Sequence, residues 1–194
     1  MVSSNSNQVL DLFRRVGALL EGHFKLSSGL HSPGYLQSAL VLQYPREAET
    51  LGAALAEAAR PLKPDVVMSP ALGGVVIGHE VARALGVRAI FAERQDGALM
   101  LRRGFVVAEN DRVLVVDDVV TTGGSTRETI QVARAAGGHV VGAGSIVNRG
   151  TGAPLDVPYV ALLEIALPTY EPDKCPLCAQ GLPVIKPGSR PVAV

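Results

Sequence analysis

The spacing of apolar side chains predicts a helix at the start of the chain. In residues 7–20 they recur at intervals of three and four, which is typical of an amphipathic helix, and Gly22 is a plausible end for it. Glycine and proline residues then interrupt short apolar pieces in residues 23–44, which predicts two short strands and a turn. A second helical pattern begins at Pro45 and reaches Arg60. The first part of the chain is therefore a small helical and β element followed by a helix.

From Asp65 onward, short apolar runs rich in β-branched residues alternate with glycine turns and helical patterns. This rhythm predicts an α/β fold with a mainly parallel, doubly wound sheet. Residues 94–103 are polar and predict a long loop or a mobile hairpin, and the many prolines after Leu167 predict an ordered tail without regular structure that lies over the body. The predicted strands are Val66–Ser69, Val87–Ala92, Val113–Val116, Val140–Val147 and Tyr159–Leu163.

Composition bears on where in the cell the protein is found. Hydrophobic residues make up 47% of the 194 residues, but they occur in short runs, well below the roughly 20 consecutive apolar residues of a membrane span. Residues 1–8 are polar and lack the basic and then apolar pattern of a secretory signal. We therefore expect a cytoplasmic protein with no membrane partner.

Charge argues against nucleic acid as a partner. Eighteen basic and eighteen acidic residues give a formal charge of zero. A protein that neutralises many nucleic-acid phosphates carries a basic surplus or a basic run, and neither is visible. A local basic site for a small phosphorylated ligand is still compatible with this balance.

The two cysteines, Cys175 and Cys178, lie in the sequence Cys-Pro-Leu-Cys. This spacing is typical of half of a tetrahedral zinc site or of a redox pair, and it also occurs in a turn with free thiols. The chain has no second cysteine pair, so a zinc ion would need ligands of another type or from a second subunit. The sequence leaves zinc, a disulfide and free thiols open.

The strongest chemical signal lies in residues 113–126. Four apolar residues predict a buried strand, and two adjacent carboxylates, Asp117 and Asp118, follow it directly. At the carboxyl end of a parallel strand, polar side chains face the crevice in which ligands bind. Two such carboxylates can accept hydrogen bonds from the vicinal hydroxyls of a ribose and can attract Mg²⁺.

A small, hydroxyl-rich turn comes next, from Thr121 to Thr126. Its glycines allow backbone N–H groups to approach and hydrogen-bond to an anion. The N-terminus of the helix that follows points toward the same anion and favours its negative charge. Acids for sugar hydroxyls therefore precede a binding site for a phosphate, which fits a ribose 5-phosphate. The alternative is a strand-to-helix turn whose acids cap the helix and contact solvent, but two adjacent acids after a buried strand are costly without a partner.

This run closely resembles the phosphoribosyl-diphosphate signature of type I phosphoribosyltransferases. The resemblance implies the fold of that family: residues 1–44 form an N-terminal helix and a base-binding hood, 45–166 the phosphoribosyltransferase core, and 167–194 a tail packed on the body. It implies Mg²⁺ as a cofactor that is held mainly by the substrate, without a firm protein ligand. It implies that Asp117, Asp118 and Arg94 are catalytic and that Arg94 also binds phosphoribosyl diphosphate. The residues it implies for phosphoribosyl diphosphate are Asp117, Asp118, Val119, Val120, Thr121, Thr122, Gly123, Gly124 and Ser125.

A second set of residues resembles the orotate phosphoribosyltransferases in particular. Residues 22–33 are similar to the segment of that family that approaches orotate, and the match implies that Tyr35 lies beside the base. Asn148-Arg149 resembles an Asp-Arg pair whose arginine pairs with the orotate carboxylate, and Thr121 matches a residue that touches the base. A guanidinium suits this role because it offers a bidentate fork to a carboxylate. A surface arginine at a strand end is the plainer interpretation of Arg149.

The same resemblance implies a homodimer with shared active sites. Arg94 matches a loop arginine that acts in the neighbouring subunit, and the loop from Arg94 to Gly104 is expected to close over the site. Lysines typical of the family are absent at Ser27, Gly73 and Gln95. Their absence indicates that Arg102 and Arg103 supply positive charge for phosphoribosyl diphosphate, although both arginines also fit plain solvated positions.

Three rival functions share parts of this pattern. A purine-type phosphoribosyltransferase has the signature but not the orotate segment, and orotate itself is favoured here because purine bases carry no carboxylate for Arg149. A regulator that senses phosphoribosyl diphosphate would need a basic nucleic-acid surface, which the balanced charge does not suggest. An inactive scaffold would have no reason to keep both acids and the full turn.

Overall fold

The computed structural model describes residues 2–26, 28–150 and 154–186. Its helices are α1 (Val2–Arg15), α2 (Ala39–Leu42), α3 (Pro45–Ala59), α4 (Gly73–Leu85), α5 (Gly124–Ala135) and α6 (Pro176–Ala179). Its strands are β1 (Leu19–Lys25), β2 (His31–Leu36), β3 (Val66–Pro70), β4 (Arg88–Gln95), β5 (Ala98–Leu101), β6 (Arg112–Val120), β7 (His139–Asn148) and β8 (Tyr159–Glu164).

Six strands form the central sheet in the order β5-β4-β3-β6-β7-β8, and β1 and β2 form a separate antiparallel pair. All neighbours in the central sheet are parallel except β4 and β5. This confirms the predicted doubly wound, mainly parallel sheet. The chain runs outward from β3 to β5, returns to β6 beside β3 and continues the other way, so the order switches between β3 and β6. In open α/β sheets ligands bind at this switch point.

Alternating side chains of β6 enter two apolar layers. Leu114 and Val116 pack in the layer that contains α1, α3 and α4, whereas Val113 and Val115 pack in the layer beneath α5. All four side chains are fully buried. Each contributes about 1.5–3 kcal/mol by leaving water, which anchors the strand that leads into the acids.

The first predicted helix is wrong at both ends. The observed helix α1 begins at Val2 and ends at Arg15. Gly17, at φ 68°, then turns the chain into β1. Leu19 and Leu20, which fit the helical spacing, lie in β1 because they pair with Leu36 and Tyr35 of β2. Gly22 therefore lies within a strand rather than at a helix end.

Two further predictions need correction or refinement. The strand predicted to end at Val116 continues to Val120, because β7 pairs with it as far as Asn148. Residues 94–103, predicted to form a loop or a mobile hairpin, belong largely to the antiparallel β4–β5 hairpin, which turns at Asp96-Gly97 with positive φ at both positions. The polar run thus forms a hairpin at the edge of the sheet.

The tail lies against the β1–β2 pair over its described length, which ends at residue 186. Backbone hydrogen bonds of 2.8 Å join Lys25 and His23 to Ile185, and His31 exchanges two more of 2.8 Å with Tyr170. The expectation that the tail has no regular structure is wrong at Pro176–Ala179, which form one helical turn. Proline is tolerated there because the first helical residue needs no N–H partner.

A candidate active site at the switch between β3 and β6

A cavity of about 950 Å³ opens at the carboxyl ends of β3 and β6. Its walls come from the β1–β2 pair and α2, from the turn after β3 with the start of α4, and from the run 117–126. β3 and β6 pair only from Val66–Met68 and Val113–Val115, so the end of β6 extends beyond its partner. This uncovered end exposes Asp117 and Asp118 to the cavity.

The two acids have different environments. Asp117 is buried, and its carboxylate accepts hydrogen bonds from the Asp118 backbone N–H at 2.9 Å and from Thr126 Oγ1 at 3.4 Å. Asp118 is half-buried, lines the cavity and accepts a hydrogen bond from Ser38 Oγ. Asp118 is therefore the more accessible carboxylate, and Asp117 the more firmly held one.

Burial raises the pKa of Asp117 well above its ordinary value, and the negative charge of Asp118 raises it further. A cation or hydrogen-bond donors that arrive in the cavity would lower this electrostatic cost. Carboxylates with shifted pKa values in a cleft are typical of functional sites.

The start of α4 comes very close to the acids because two glycines stand there. A Cβ at Gly73 would lie 2.8 Å from Asp118 Oδ1, and one at Gly74 would lie 3.3 Å from Asp117 Oδ1. Glycine at these positions therefore allows the helix to approach without displacing the carboxylates. The unpaired N–H groups at the start of the helix favour negative charge beside them.

The turn from Thr121 to Ser125 forms another wall of the cavity. Gly123 caps α5 at φ 77°, a conformation that suits glycine, and a Cβ there would lie 2.6 Å from the Arg127 guanidinium. Arg127 Nη2 donates a 2.7 Å hydrogen bond to the Thr122 carbonyl oxygen and so supports the turn from behind. The N–H groups of the first turn of α5 have no partner within the helix, which gives the wall the character of an anion site.

Arg149 follows β7, and its backbone N–H donates a 2.8 Å hydrogen bond to the Val120 carbonyl oxygen, directly before this turn. It is only 3% exposed, and its Nη2 donates a 3.2 Å hydrogen bond to Ser32 Oγ. Its Nε is buried without a hydrogen-bond partner, and within the described residues no carboxylate forms an ion pair with the guanidinium. Burial lowers the pKa of Arg149. A buried cation that lines a cavity and lacks an anion is arranged to bind one.

Tyr35 lines the same part of the cavity and is half-buried. Burial raises the pKa of its phenol, the charge of Asp118 raises it further, and the charge of Arg149 lowers it. The hydroxyl thus lies within the field of both groups. The structure therefore brings Tyr35, Thr121 and Arg149 to one cavity with the acids, and Val119 and Val120 line it too.

Three predicted arginines lie outside the walls of this cavity. Arg94 pairs with Glu128 at 2.8 Å, and Glu128 itself lines the cavity, so Arg94 lies near its rim. Arg102 and Arg103 pair with Glu93 at 3.6 and 2.9 Å, and Arg103 also lies 5.7 Å from the centre of the Phe91 ring. Ser27, one of the positions where a family lysine is absent, lies outside the described residues.

Sequence reasoning missed two polar residues of the site. Ser38 follows β2 and contacts Asp118 from a position 80 residues away, and Ser32 contacts Arg149 from 117 residues away. Ser32 falls within the segment that resembled the orotate side, but no local pattern indicated its partner. Among the described residues, Arg149 is the one cationic side chain that lines the cavity, beside three carboxylates: Asp117, Asp118 and Glu128.

In the part of the chain that the structure describes, no helix is long and apolar enough to span a membrane.

Comparison with known proteins agrees with this geometry. Residues 41–165 match the family model described as the phosphoribosyl transferase domain. The orotate phosphoribosyltransferase of Heliobacterium modesticaldum is 52% identical over 189 residues, covering 96% of this chain and 99% of the relative. That of Caldanaerobacter subterraneus subsp. tengcongensis is 48% identical over 184 residues, covering 94% and 97%. The crystal structure of the Aeropyrum pernix orotate phosphoribosyltransferase has a TM-score of 0.68 and 26% identity, covering 80% of this chain and 93% of that one.

Proposed function

The chain belongs to the orotate phosphoribosyltransferase family, and from this premise we propose that it transfers ribose 5-phosphate from phosphoribosyl diphosphate to orotate. The products are orotidine 5′-phosphate and pyrophosphate, and the reaction is a step of pyrimidine nucleotide synthesis. We also propose a cytoplasmic location for the enzyme, as its membership of this family suggests.

Arg149 is the observation that carries the choice of base. Its guanidinium is buried, lines the cavity and has no carboxylate partner among the described residues. Orotate supplies a carboxylate that can accept two parallel hydrogen bonds from the guanidinium. Tyr35 flanks the base on the hood side and Thr121 on the core side. Adenine, guanine and hypoxanthine would leave the buried cation unpaired, which disfavours them.

The acids and the turn bind the sugar phosphate. Asp117 and Asp118 accept hydrogen bonds from the ribose hydroxyls, and Thr121 to Ser125 bind the 5-phosphate with hydroxyls and N–H groups. The support for this assignment is that both sets line one cavity, together with the first residues of α5, whose N–H groups have no partner within the helix. Holding both substrates in one cavity replaces a bimolecular encounter by a positioned reaction.

Departure of pyrophosphate leaves positive character on the ribose ring, and a nitrogen of orotate then attacks the anomeric carbon. Asp118, at the cavity surface, stabilises that charge without acting as a general base. The β4–β5 hairpin closes over the neighbouring subunit's site and excludes water, which would otherwise hydrolyse the ring cation.

The donor set of the cavity fits magnesium. Carboxylate oxygens are the ligands that Mg²⁺ prefers. Burial and then the negative charge of Asp118 raise the pKa of Asp117, and a nearby cation would offset this cost. Asp118, which lines the cavity, would be the carboxylate nearest the ion, and the diphosphate and the ribose hydroxyls would supply most of its ligands. When bound, magnesium supplies positive charge that neutralises the diphosphate leaving group.

Charge also supports a homodimer with shared sites. Among the described residues of one chain, one cation and three carboxylates line the cavity, yet both substrates are anionic. Arg94, Arg102 and Arg103 line no part of it, and they stand on or beside a hairpin at the sheet edge. We assign these arginines to the pyrophosphate of the neighbouring subunit's site. Leu72, which is 87% exposed at the cavity, offers an apolar surface for that subunit to cover.

The reaction is tested by following the ultraviolet absorbance of orotate after phosphoribosyl diphosphate and magnesium are added. We expect orotate to disappear in step with pyrophosphate release, and addition of a chelator to stop both. The control is the Asp117→Asn, Asp118→Asn double variant, which should stay folded and inactive. Pyrophosphate release with adenine, guanine or xanthine but not with orotate would instead identify a purine-type enzyme.

A further inference from the structure

Four side chains with metal-binding atoms meet away from the cavity, where the tail crosses the β1–β2 pair. They are His23 and His31 from the two strands and Cys175 and Cys178 from the tail, and one nitrogen or sulfur atom of each lies within 4.8 Å of all the others. His23, His31 and Cys175 are buried, and Cys178 is exposed. The proposed transferase reaction uses none of them.

Most of these distances are close to those around one ion, although the group spans up to 4.8 Å and has to contract as the ion binds. Around zinc, bonds of about 2.3 Å to sulfur and about 2.0–2.1 Å to nitrogen put neighbouring tetrahedral ligands roughly 3.3–3.8 Å apart. His23 Nε2 lies 3.5 Å from Cys175 Sγ and 3.7 Å from Cys178 Sγ, and His31 Nδ1 lies 3.3 Å from Cys178 Sγ. The two nitrogens are 2.9 Å apart and need to separate by a few tenths of an ångström.

The ring of His23 is oriented for metal binding by its other nitrogen. Nδ1 lies 2.8 Å from the carbonyl oxygen of Leu182, and an oxygen of this kind can only accept a hydrogen bond. Nδ1 therefore carries the proton, and the lone pair of Nε2 points into the group. Such a hydrogen bond from the second nitrogen is typical of metal-ligating histidines.

The sequence spacing agrees with this geometry. Cys175 and Cys178 follow the Cys-x-x-Cys pattern of a zinc half-site, and the two histidines supply the ligands of another type that the chain otherwise lacks. Two thiolates and two neutral imidazoles balance the charge of Zn²⁺, so a buried ion carries no net charge. Each thiol releases its proton to solvent as the ion binds.

We propose that His23, His31, Cys175 and Cys178 bind a structural zinc ion that fastens the tail to the β1–β2 pair. All four ligands come from the protein, so the ion has no open position for a substrate and its role is structural. β2 also carries Ser32, which hydrogen-bonds to Pro168 of the tail and to Arg149. The ion would thus hold the strand that orients the orotate side of the cavity.

The first test measures metal in the full-length protein after dialysis. We expect about one zinc per chain in the wild type. The Cys178→Ser and His31→Gln variants should retain less than roughly a tenth of that zinc and melt at least about 5 °C lower. His139→Gln, at an exposed histidine, is the matched control and should keep both the zinc and the melting temperature. A wild type that neither contains zinc nor takes it up from a zinc buffer would overturn the proposal.

A second measurement uses only wild-type protein, in case a variant does not fold. Replacing zinc by Co²⁺ should give the visible absorption of a tetrahedral thiolate site, and both thiols should react with a thiol reagent only after a chelator is added. Thiols that react equally with and without chelator would rule the site out. So would a chain lighter by two hydrogen atoms, because that mass identifies a Cys175–Cys178 disulfide instead. None of these measurements depends on the transferase activity.

Discussion

Arg149 Nη2 donates a hydrogen bond of 3.2 Å to Ser32 Oγ, and this contact joins the end of β7 to strand β2. Ser32 in turn donates to the carbonyl oxygen of Pro168 at 2.8 Å, so core, β2 and tail meet at one hydroxyl. The guanidinium is therefore oriented before a ligand arrives. An oriented cation loses less entropy on binding a carboxylate than a free one.

Replacement of Arg149 should impair orotate use more than use of the sugar donor. For Arg149→Ala we expect kcat/KM for orotate to fall by a factor of roughly 100, since a charged hydrogen-bond pair of this kind contributes about 3 kcal/mol. Arg149→Lys should recover little, because an ammonium group cannot form the bidentate fork. Steady-state kinetics with each substrate varied in turn measures both effects.

The matched control is Arg134→Ala, at an exposed arginine that pairs with Asp156 at 2.6 Å. Exposed pairs contribute at most about 1 kcal/mol, so this variant should keep its kinetics. An unchanged KM for orotate in a folded Arg149→Ala protein would remove Arg149 from base recognition.

A structural feature can be predicted from this sequence when the residues that form it lie close together along the chain. The run 113–126 could be interpreted because strand, acids, turn and helix follow one another within one segment. Leu19 and Leu20 were assigned to a helix because their spacing fits, and only the pairing with β2 places them in a strand. That pairing is tertiary, so no pattern within residues 7–20 contains it.

The same reasoning applies to the side-chain clusters. Cys175 and Cys178 indicated half of a metal site, but His23 lies 152 residues before Cys175 and only the fold brings them together. Likewise, Arg149 was predicted from a motif, whereas its partner Ser32 depends on how the hood packs on the core. Local chemistry was predictable, and the contacts that complete it were not.

Asp117→Asn should make the protein more stable at neutral pH while its activity is lost. The pKa of Asp117 is raised by burial and by Asp118, so the folded state binds this proton more tightly than the unfolded state. The free energy of unfolding therefore falls as the pH rises from about 4 through the raised pKa. Asparagine avoids that cost and can still accept the Asp118 N–H. We expect a gain of about 2–8 °C in melting temperature at pH 8.

Calorimetry of both proteins at pH 5 and pH 8 measures this effect. The difference in melting temperature should be larger at pH 8, where the wild-type carboxylate is charged more of the time. The Thr126 hydroxyl can rotate and accept a hydrogen bond from the amide group of the introduced asparagine. Losing the original Thr126 contact therefore does not offset the gain in melting temperature. An equal difference at both pH values would show that the charge of Asp117 is not what costs stability.

Gly73→Ala should disturb Asp118 rather than the fold. The new Cβ would lie 2.8 Å from Asp118 Oδ1 and 3.0 Å from its Cγ, so the carboxylate has to move. We expect kcat/KM to fall by roughly ten- to a hundredfold, as is usual for a displacement of about 1 Å at a reacting centre. In an Asp118→Ala background the same substitution should add nothing to the loss of affinity for phosphoribosyl diphosphate, measured by calorimetry. A further loss there would mean that residue 73 contacts the ligand directly.

Mixing two inactive variants tests whether Arg94 acts across a dimer. Its exposed pair with Glu128 contributes little stability, so Arg94→Ala should fold normally and turn over slowly. The Asp117→Asn, Asp118→Asn protein should also be inactive.

The two variants are unfolded together in equal amounts and refolded, so half of the dimers that form are mixed. Each mixed dimer has two sites, and one of them combines intact acids with an intact arginine from the other chain. Activity should therefore return to roughly a quarter of the wild-type value. If Arg94 instead serves the cavity of its own chain, whose wall residue Glu128 it contacts, every site in the mixture lacks either the acids or the arginine and no activity returns. Size-exclusion chromatography of the refolded mixture shows whether dimers have formed. If dimers are present and no activity returns, Arg94 does not act in the neighbouring subunit.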